Sequence, residues 1–315
     1  MTTTPDRTDP RRSILAGLLG QGIKTSLTPE MHEREAWRQG IRYVYKIVDL
    51  EDHQVGENHL RRLLDFALEF GFDGLNVTHP IKQTMVPLMD RVTPEVEAIG
   101  AINTVLVVDG VAVGHNTDVT GFDRSFREGL PGVALDEVVL LGAGGAGTAV
   151  AHALVKLGAK RILVFDPDAV AAEALARSTE RLLAHVDAQR IGRADLAGAL
   201  AGASGLVNAT PVGMAAHPGM PVQAELLRPD LWVVDIVYRP LVTPLLRSAT
   251  DLGCRTLSGA GMAVHQAADA FELITSRPAD REAMFRDFNE MVAVEIDETR
   301  QVTSPARVTS TERNR

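Results

Sequence analysis

One cysteine, Cys254, stands among 315 residues, so no intrachain disulfide and no thiolate metal cluster can form. That scarcity suits a reducing compartment, and a cytoplasmic protein is expected. Long apolar runs are missing too, and nothing approaches the roughly 18 residues that a membrane-spanning helix needs. Arg11-Arg12 precedes a short apolar stretch in the manner of a twin-arginine leader, but Gln21-Gly22-Ile23-Lys24 follows without a small-residue cleavage pattern, and the stretch reads as a first β-strand. The nine histidines include no HExxH pair and none stands with carboxylates at metal-ligand spacing, so no metal is expected. Positive charge is in the minority: 41 acidic against 32 basic residues leave a net charge of −9, which disfavours a phosphate backbone as partner. The expected partner is a small molecule, with no nucleic acid and no membrane, and the chain is read as a monomer or a homodimer.

What is present is an alternation of strand-like and helix-like segments. Strands are expected near 14–19, 41–48 and 73–77 and helices near 29–39, 57–70 and 80–88, the rhythm of a mainly parallel α/β sheet. Asp109-Gly110 joins two apolar runs as the tight turn of a β-hairpin, which would bring Asn103 close to Asp118. After a helix near 119–129 a second series begins: strands 137–141, 161–165, 204–208 and 231–235 with helices 146–157, 168–184 and 195–201, the pattern of a Rossmann-type dinucleotide domain. Two further helices, near 261–275 and 279–297, exceed what that domain needs and are expected to return to the first. The reading is therefore an α/β chain of two domains. Residues 13–120 and 260–300 form a substrate domain, 121–259 bind nucleotide, and 1–12 and 302–315 are polar tails.

Three segments carry chemistry. Asn76-Val77-Thr78-His79-Pro80-Ile81-Lys82 presents one lysine among neutral hydrogen-bonding residues, and Gly114-His115-Asn116-Thr117-Asp118 supplies a carboxylate in a similar setting. Lys82 and Asp118 are candidates for a coupled acid/base pair. Pro80 suits the first turn of a helix, which would set Lys82 at the positive end of a helix dipole, against its ammonium form, while Asp118 favours that form. The third segment, Gly142-Ala143-Gly144-Gly145-Ala146-Gly147, lies between an apolar strand and an Ala/Leu/Val helix, the setting of a pyrophosphate-binding loop. Asp166, at the end of the following strand, stands where an acidic side chain accepts from adenosine ribose hydroxyls and repels a 2′-phosphate. With no arginine before Arg177, NAD is expected over NADP. Asn208-Ala209-Thr210-Pro211-Val212-Gly213-Met214, also after an apolar strand, is a candidate for the nicotinamide side. Ser26 and Thr28, if extended, would point their hydroxyls at one carboxylate; alternatively Thr28 caps a helix that has Pro29 at its first position. His79 and His115 are read as packing residues.

In these segments, and over roughly residues 14–295, the chain resembles the shikimate dehydrogenase family. Ser26-Leu27-Thr28-Pro29 with His32 is similar to the family's carboxylate-binding segment, Asn76 to Lys82 to its NVTxPxK motif, Gly100-Ala101-Ile102-Asn103-Thr104 to GAxNT, and Asn116-Thr117-Asp118 to NTD. The resemblance implies hydride transfer to or from a polyhydroxylated cyclic carboxylate. It makes Lys82 and Asp118 the catalytic pair, gives Asn76, Thr78, Asn103 and Gln266 contacts to ring hydroxyls, and sets Ile236, Tyr238 and Gly259 beside substrate and nicotinamide. Asp166-Pro167-Asp168 stands where NADP-dependent members carry an Asn-Arg-Thr-type phosphate grip. That, with Thr28, is similar to the NAD-dependent quinate/shikimate branch; NADP-linked shikimate dehydrogenases and aminoshikimate dehydrogenases are the alternatives. A non-catalytic NAD-sensing protein is the reading from another class.

Overall fold

The computed structural model describes residues 12–51, 56–182 and 186–303, with side chains as far as 293; most of the two segments read as tails lies outside the described residues. In chain order the first half comprises β1 (Ser13–Gly20), α1 (Thr28–Arg38), β2 (Arg42–Asp49), α2 (Glu57–Glu69), β3 (Gly74–Val77), β4 (Arg91–Val92), α3 (Pro94–Ile99), β5 (Thr104–Val108), β6 (Val111–His115) and α4 (Thr117–Gly129). The second comprises β7 (Glu137–Leu141), α5 (Gly145–Leu157), β8 (Arg161–Phe165), α6 (Ala169–Leu182), β9 (Asp187–Arg190), α7 (Leu196–Gly202), β10 (Gly205–Asn208), β11 (Trp232–Asp235), α8 (Pro244–Asp251) and β12 (Thr256–Ser258), followed by α9 (Ala260–Thr275) and α10 (Arg281–Thr303).

The strands form two sheets. The first runs β2-β1-β3-β5-β6-β4. Its β1, β2 and β3 are parallel, and the β5–β6 hairpin joins β3 antiparallel. Asp109 and Gly110 turn that hairpin with φ 53° and 77°, the pair of positive angles that matches strand twist. The second sheet runs β12-β11-β10-β7-β8-β9 and is parallel throughout. Its order reverses between β7 and β10, so the loops leaving those two strands border the crevice where such sheets take ligands. Val138, Leu140, Ile162 and Val164 face α5 and α6, and Val139, Leu141, Leu206 and Val233 face α7 and α8, so both sides are buried. That double burial is why these strands read as continuous apolar runs.

The last two helices return to the first sheet. Val264, Ala267 and Ala268 of α9 pack with Leu27 and Met31 beside Met284 and Phe288 of α10, and Ile274 packs on Ile14 and Ala16 of β1. Gly121 lets α4 approach α9: a Cβ there would lie 2.9 Å from the Gln266 amide nitrogen.

The structure departs from the sequence reading at residues 80–88, which form no α-helix. The His79–Pro80 peptide is cis, residues 82–85 are turns, and only Val86–Leu88 makes a 3-10 turn. Tertiary partners take two carbonyls that a helix would use, Gln21 N donating to His79 O at 3.0 Å and Ile102 N to Lys82 O at 2.9 Å, and Thr78 N, just ahead of the segment, is tied to Leu19 O at 2.9 Å. The buried pair Ile81 and Met85 produced the helical spacing. Lys82 therefore stands on no helix dipole. The strands β4, β9 and β12 and the helices α3 and α8 escaped the reading because they are two to eight residues long, or, like Asp-Ala-Gln-Arg of β9, polar.

His32 of α1 is fully buried, with ring centroids of Tyr43, Tyr45 and Phe271 at 5.9, 5.1 and 5.8 Å. Its Nδ1 lies 3.0 Å from the Tyr43 hydroxyl, while Nε2 has no partner among the described residues. Burial lowers its pKa from 6.5 to about 3. The unfolded chain then takes up a proton near pH 6.5 that the folded protein refuses until about pH 3, so stability present above that window is lost as pH falls through it. In urea titrations from pH 7 to pH 3, wild type is expected to lose up to ~1.4 kcal/mol per pH unit relative to His32→Phe; parallel curves for the two proteins contradict this.

Candidate active site

Lys82 leaves the turn after β3, and Asp118 lies in the first turn of α4. Their side chains meet with Nζ 2.5 Å from Oδ2, and they are 14% and 7% exposed. The start of α4 is built for this. Asn116 caps it, accepting from Asp118 N at 3.0 Å and Val119 N at 3.4 Å, and donates through Nδ2 to Ala101 O at 2.9 Å. A side-chain cap satisfies the first amides and fixes where the helix begins, and so fixes the direction in which Asp118 leaves it.

Asn103, just ahead of β5, is the hub. Its Oδ1 accepts from Thr117 N at 2.7 Å, and its Nδ2 faces Thr117 Oγ1 at 2.8 Å, Asp118 Oδ1 at 3.1 Å and Gln266 Oε1 at 3.3 Å. A backbone N–H can only donate, so the amide orientation is determined rather than assumed. A directed chain feeds this hub: Tyr45 Oη donates to Asn76 Oδ1 at 2.7 Å, Asn76 Nδ2 to Thr104 Oγ1 at 3.1 Å, and Thr104 Oγ1 to Asn103 Oδ1 at 3.0 Å. Each member is buried, and each link removes a polar group that would otherwise be costly to leave unpaired. Sequence reasoning brought Asn76, Asn103, Gln266, Lys82 and Asp118 together; it quoted Thr104 and Thr117 without assigning them and missed Tyr45, which reads as an ordinary strand residue of β2.

The other expected substrate contacts stand apart from this knot. Thr78 is half-buried, its hydroxyl making no hydrogen bond among the described residues, and Gly20 accommodates it: a Cβ on Gly20 would lie 2.4 Å from Thr78 Cγ2. Ser26 and Thr28 do not alternate along an extended segment, because Leu27 between them is α-helical (φ −83°, ψ −10°) and occupies the cap position of α1. Thr28 is thus the first helical residue and not the cap, and Ser26 Oγ accepts from its amide at 3.3 Å. The loop bearing Ser26 is held by Asp49, which accepts from Gly22 N and Ile23 N at 2.9 Å each. The Tyr238 and Phe288 ring centroids lie 5.9 Å apart, and the neighbouring Arg239 guanidinium donates to Thr25 O.

On the nucleotide side, Gly142 (φ 101°) turns the chain out of β7, and Gly147 approaches it so closely that a Cβ would lie 2.0 Å from Gly142 O. Gly144 caps α5 with no side-chain bond, so the first-turn amides of this helix face outward without intrahelical acceptors. Ala143 N donates to Asp166 Oδ2 and Asp168 N to Oδ1, each at 2.8 Å; the cap of α6 is instead Asp168, accepting from Val170 N at 2.9 Å. An open Gly144, uncapped amides and an oriented carboxylate fit a dinucleotide's pyrophosphate and ribose. Asn208 is spent internally, donating to Asp235 Oδ1 at 2.9 Å and accepting from Thr210 Oγ1 at 2.6 Å. It braces the Thr210–Pro211 turn, from which Met214 protrudes 41% exposed. Burial raises the pKa of Asp235 although Thr243, Val237 N and Asn208 donate to it. Gly259 sits against Ile236, whose carbonyl oxygen a Cβ would meet at 2.0 Å. The reading missed one arginine: Arg193 Cζ lies 5.6 Å from the centroid of Phe165, the residue before Asp166.

A parallel sheet with a glycine loop at its switch point, facing a lysine–carboxylate pair, defines the class: a pyridine-nucleotide-dependent oxidoreductase acting on an alcohol group. Comparison with known proteins gives the family. Residues 18–105 match the shikimate dehydrogenase substrate binding domain, and residues 259–284 match the shikimate 5'-dehydrogenase C-terminal domain. A shikimate dehydrogenase (NADP(+)) of Streptomyces avermitilis is 53% identical over 89% of this chain and 96% of that protein. A quinate/shikimate dehydrogenase (NAD(+)) of Corynebacterium glutamicum is 46% identical over 88% of this chain and 98% of its own length. The structure of quinate dehydrogenase from Corynebacterium glutamicum in complex with NAD superposes with a TM-score of 0.82, at 45% identity, covering 88% of this chain and 99% of that one. This chain belongs to the shikimate dehydrogenase family. No helix among the described residues is long and apolar enough to cross a membrane.

Removing the Tyr45 hydroxyl tests the directed chain. Tyr45→Phe leaves Asn76 Oδ1 without its donor and is expected to destabilise the protein by about 1–3 kcal/mol in denaturant titrations; a loss below about 0.5 kcal/mol contradicts the chain.

Proposed function

We propose that this chain catalyses the reversible, NAD-dependent oxidation of quinate or shikimate to the 3-dehydro ketone, with Lys82 as the proton-transfer group. The observation that carries this reading is the Lys82–Asp118 contact, held by Asn103 and set beside the glycine loop. Oxidising a secondary alcohol removes a hydride from the carbinol carbon and a proton from its hydroxyl, so a base must lie within about 3 Å of that oxygen. Lys82 as the free amine accepts the proton, and Asp118 accepts a hydrogen bond from the resulting ammonium; in reduction Lys82 returns the proton to the carbonyl oxygen. The dinucleotide, when bound, supplies the hydride acceptor. Asn76, Thr78, Asn103 and Gln266 orient the ring hydroxyls, and Ser26 and Thr28, at the start of α1, hold the carboxylate where a helix N-terminus favours an anion. We further propose residues 13–120 with 260–300 as the substrate domain, 121–259 as the nucleotide domain, and a cytoplasmic setting.

NAD over NADP is supported by the Asp166 carboxylate, which two backbone amides orient, and by the NAD-named relatives. A second reading, NADP-linked shikimate oxidation, has its own support in the exposed Arg193 beside Phe165 and in the NADP-named Streptomyces relative.

Two experiments decide between outcomes. Absorbance at 340 nm, crossing shikimate and quinate with NAD and NADP, is expected to show turnover of both acids with kcat/KM at least about tenfold higher for NAD, a difference of ~1.4 kcal/mol; Asp166→Asn narrows that ratio. Preference for NADP with shikimate alone contradicts the cofactor reading. Lys82→Met is expected to lower kcat by about 10²–10⁴-fold while the protein still binds NAD, and near wild-type kcat contradicts the role of Lys82.

A further inference from the structure

The glycine loop leaves no room for a side chain at Gly145 beside Lys82. A Cβ built on Gly145 would lie 3.2 Å from both Cβ and Cδ of Lys82 and 3.7 Å from Cγ. The other loop glycines have different reasons to be glycine. Gly142 has φ 101° and lies against Ala209 O, Gly147 lies against Gly142 O, and a Cβ on Gly144 would meet nothing within 4 Å. Gly145 is outside the left-handed region and is the first residue of α5, where its backbone conformation would accept alanine and helix propensity would favour it. What a side chain at 145 would displace is Lys82.

We propose that Gly145 is a positioning residue for Lys82: its bare backbone forms the wall against which the lysine stem lies, and that wall sets the ammonium against Asp118. The inference rests on the functional reading above and deepens it. Lys82 cannot absorb the displacement through its backbone, because Ile102 N holds Lys82 O at 2.9 Å and the neighbouring Ile81 is 2% exposed. At the far end, Asp118 holds Nζ at 2.5 Å, and Asn103 holds Asp118. A shift of a few tenths of an ångström imposed at mid-stem must therefore appear at the amine. The loop that would carry the dinucleotide is then also the surface that aims the base.

The test compares wild type, Gly145→Ala and Gly144→Ala, measuring the dissociation constant for NAD by titration calorimetry and kcat across pH 6–10. Gly145→Ala is expected to keep its affinity for NAD within about twofold, lose about tenfold in kcat and shift the pH at which kcat is half-maximal. Gly144→Ala, whose added carbon faces the open side of the loop, shows its effect in NAD affinity. An unaltered pH profile in Gly145→Ala, with the loss appearing only in NAD affinity, overturns the proposal. If Gly145→Ala binds no NAD, Lys82→Gly/Gly145→Ala decides. Clearing the lysine stem restores NAD binding to the level of Lys82→Gly if the clash is with Lys82, and fails to restore it if the glycine serves the cofactor alone. Because that arm reads binding and not turnover, it stands even if wild type oxidises neither acid, the outcome that would instead remove the functional reading.

Discussion

The Thr117 amide donates to Asn103 Oδ1 across 2.7 Å, and most of the site depends on that bond. It leaves Asn103 Nδ2 no choice but to face Thr117 Oγ1, Asp118 and Gln266. Asp118 then has one oxygen toward Asn103 and the other toward Lys82. A reversed amide would set a carbonyl oxygen against a carboxylate, a repulsion that the buried setting would amplify. The bond also joins two distant parts of the sequence, since Asn103 leads into a hairpin and Thr117 opens a helix, and it works only because the Asp109-Gly110 turn returns the chain in register, Thr104 opposite His115.

Around that bond the fold supplies supports of different kinds. From the first sheet, Tyr45 reaches in through Asn76 and Thr104, three buried polar groups whose donors and acceptors match. From the C-terminal helices comes Gln266, carried close by the crossing of α9 over Gly121. The nucleotide sheet contributes no hydrogen bond to the knot among the described residues; it contributes the flat face of Gly145 against the Lys82 stem. Steric crowding on that side and hydrogen bonding on the other hold one amine between the two sheets, the placement that the proposed proton transfer requires.

Much of this was legible in the sequence, for physical reasons that differ by element. The parallel strands of the second sheet announce themselves because both faces are buried, and the glycine loop because its neighbours on either side have unmistakable periods. The hairpin was legible from two residues, Asp109 and Gly110. Residues 80–88 misled because Ile81 and Met85 are spaced as on a helix, while the bonds that decide their conformation run to Gln21, Leu19 and Ile102, far away in sequence. Around Ser26 and Thr28 the Thr-Pro helix start was legible and its register was not, since Leu27 and not Thr28 takes the cap position of α1 and the two hydroxyls do not alternate along an extended segment. Tyr45 and Arg193 carry no local signal at all: one matters through a hydroxyl that reaches Asn76 and the other through its stacking on Phe165, and both facts exist only in the folded chain. In the proposed reading the cofactor choice depends on the carboxylate of Asp166 and the cation of Arg193 beside Phe165, of which sequence spacing revealed only the first.

A crystal structure of the complex with shikimate and NADH, which cannot react together, tests the central claim most directly. The account predicts the oxidisable hydroxyl oxygen within about 2.6–3.2 Å of Lys82 Nζ, with Asp118 and Asn103 in the arrangement described here and the Lys82 stem still lying against Gly145. A substrate whose reacting oxygen lies beyond hydrogen-bond reach of both Lys82 and Asp118, with the nicotinamide facing that carbon, would contradict it.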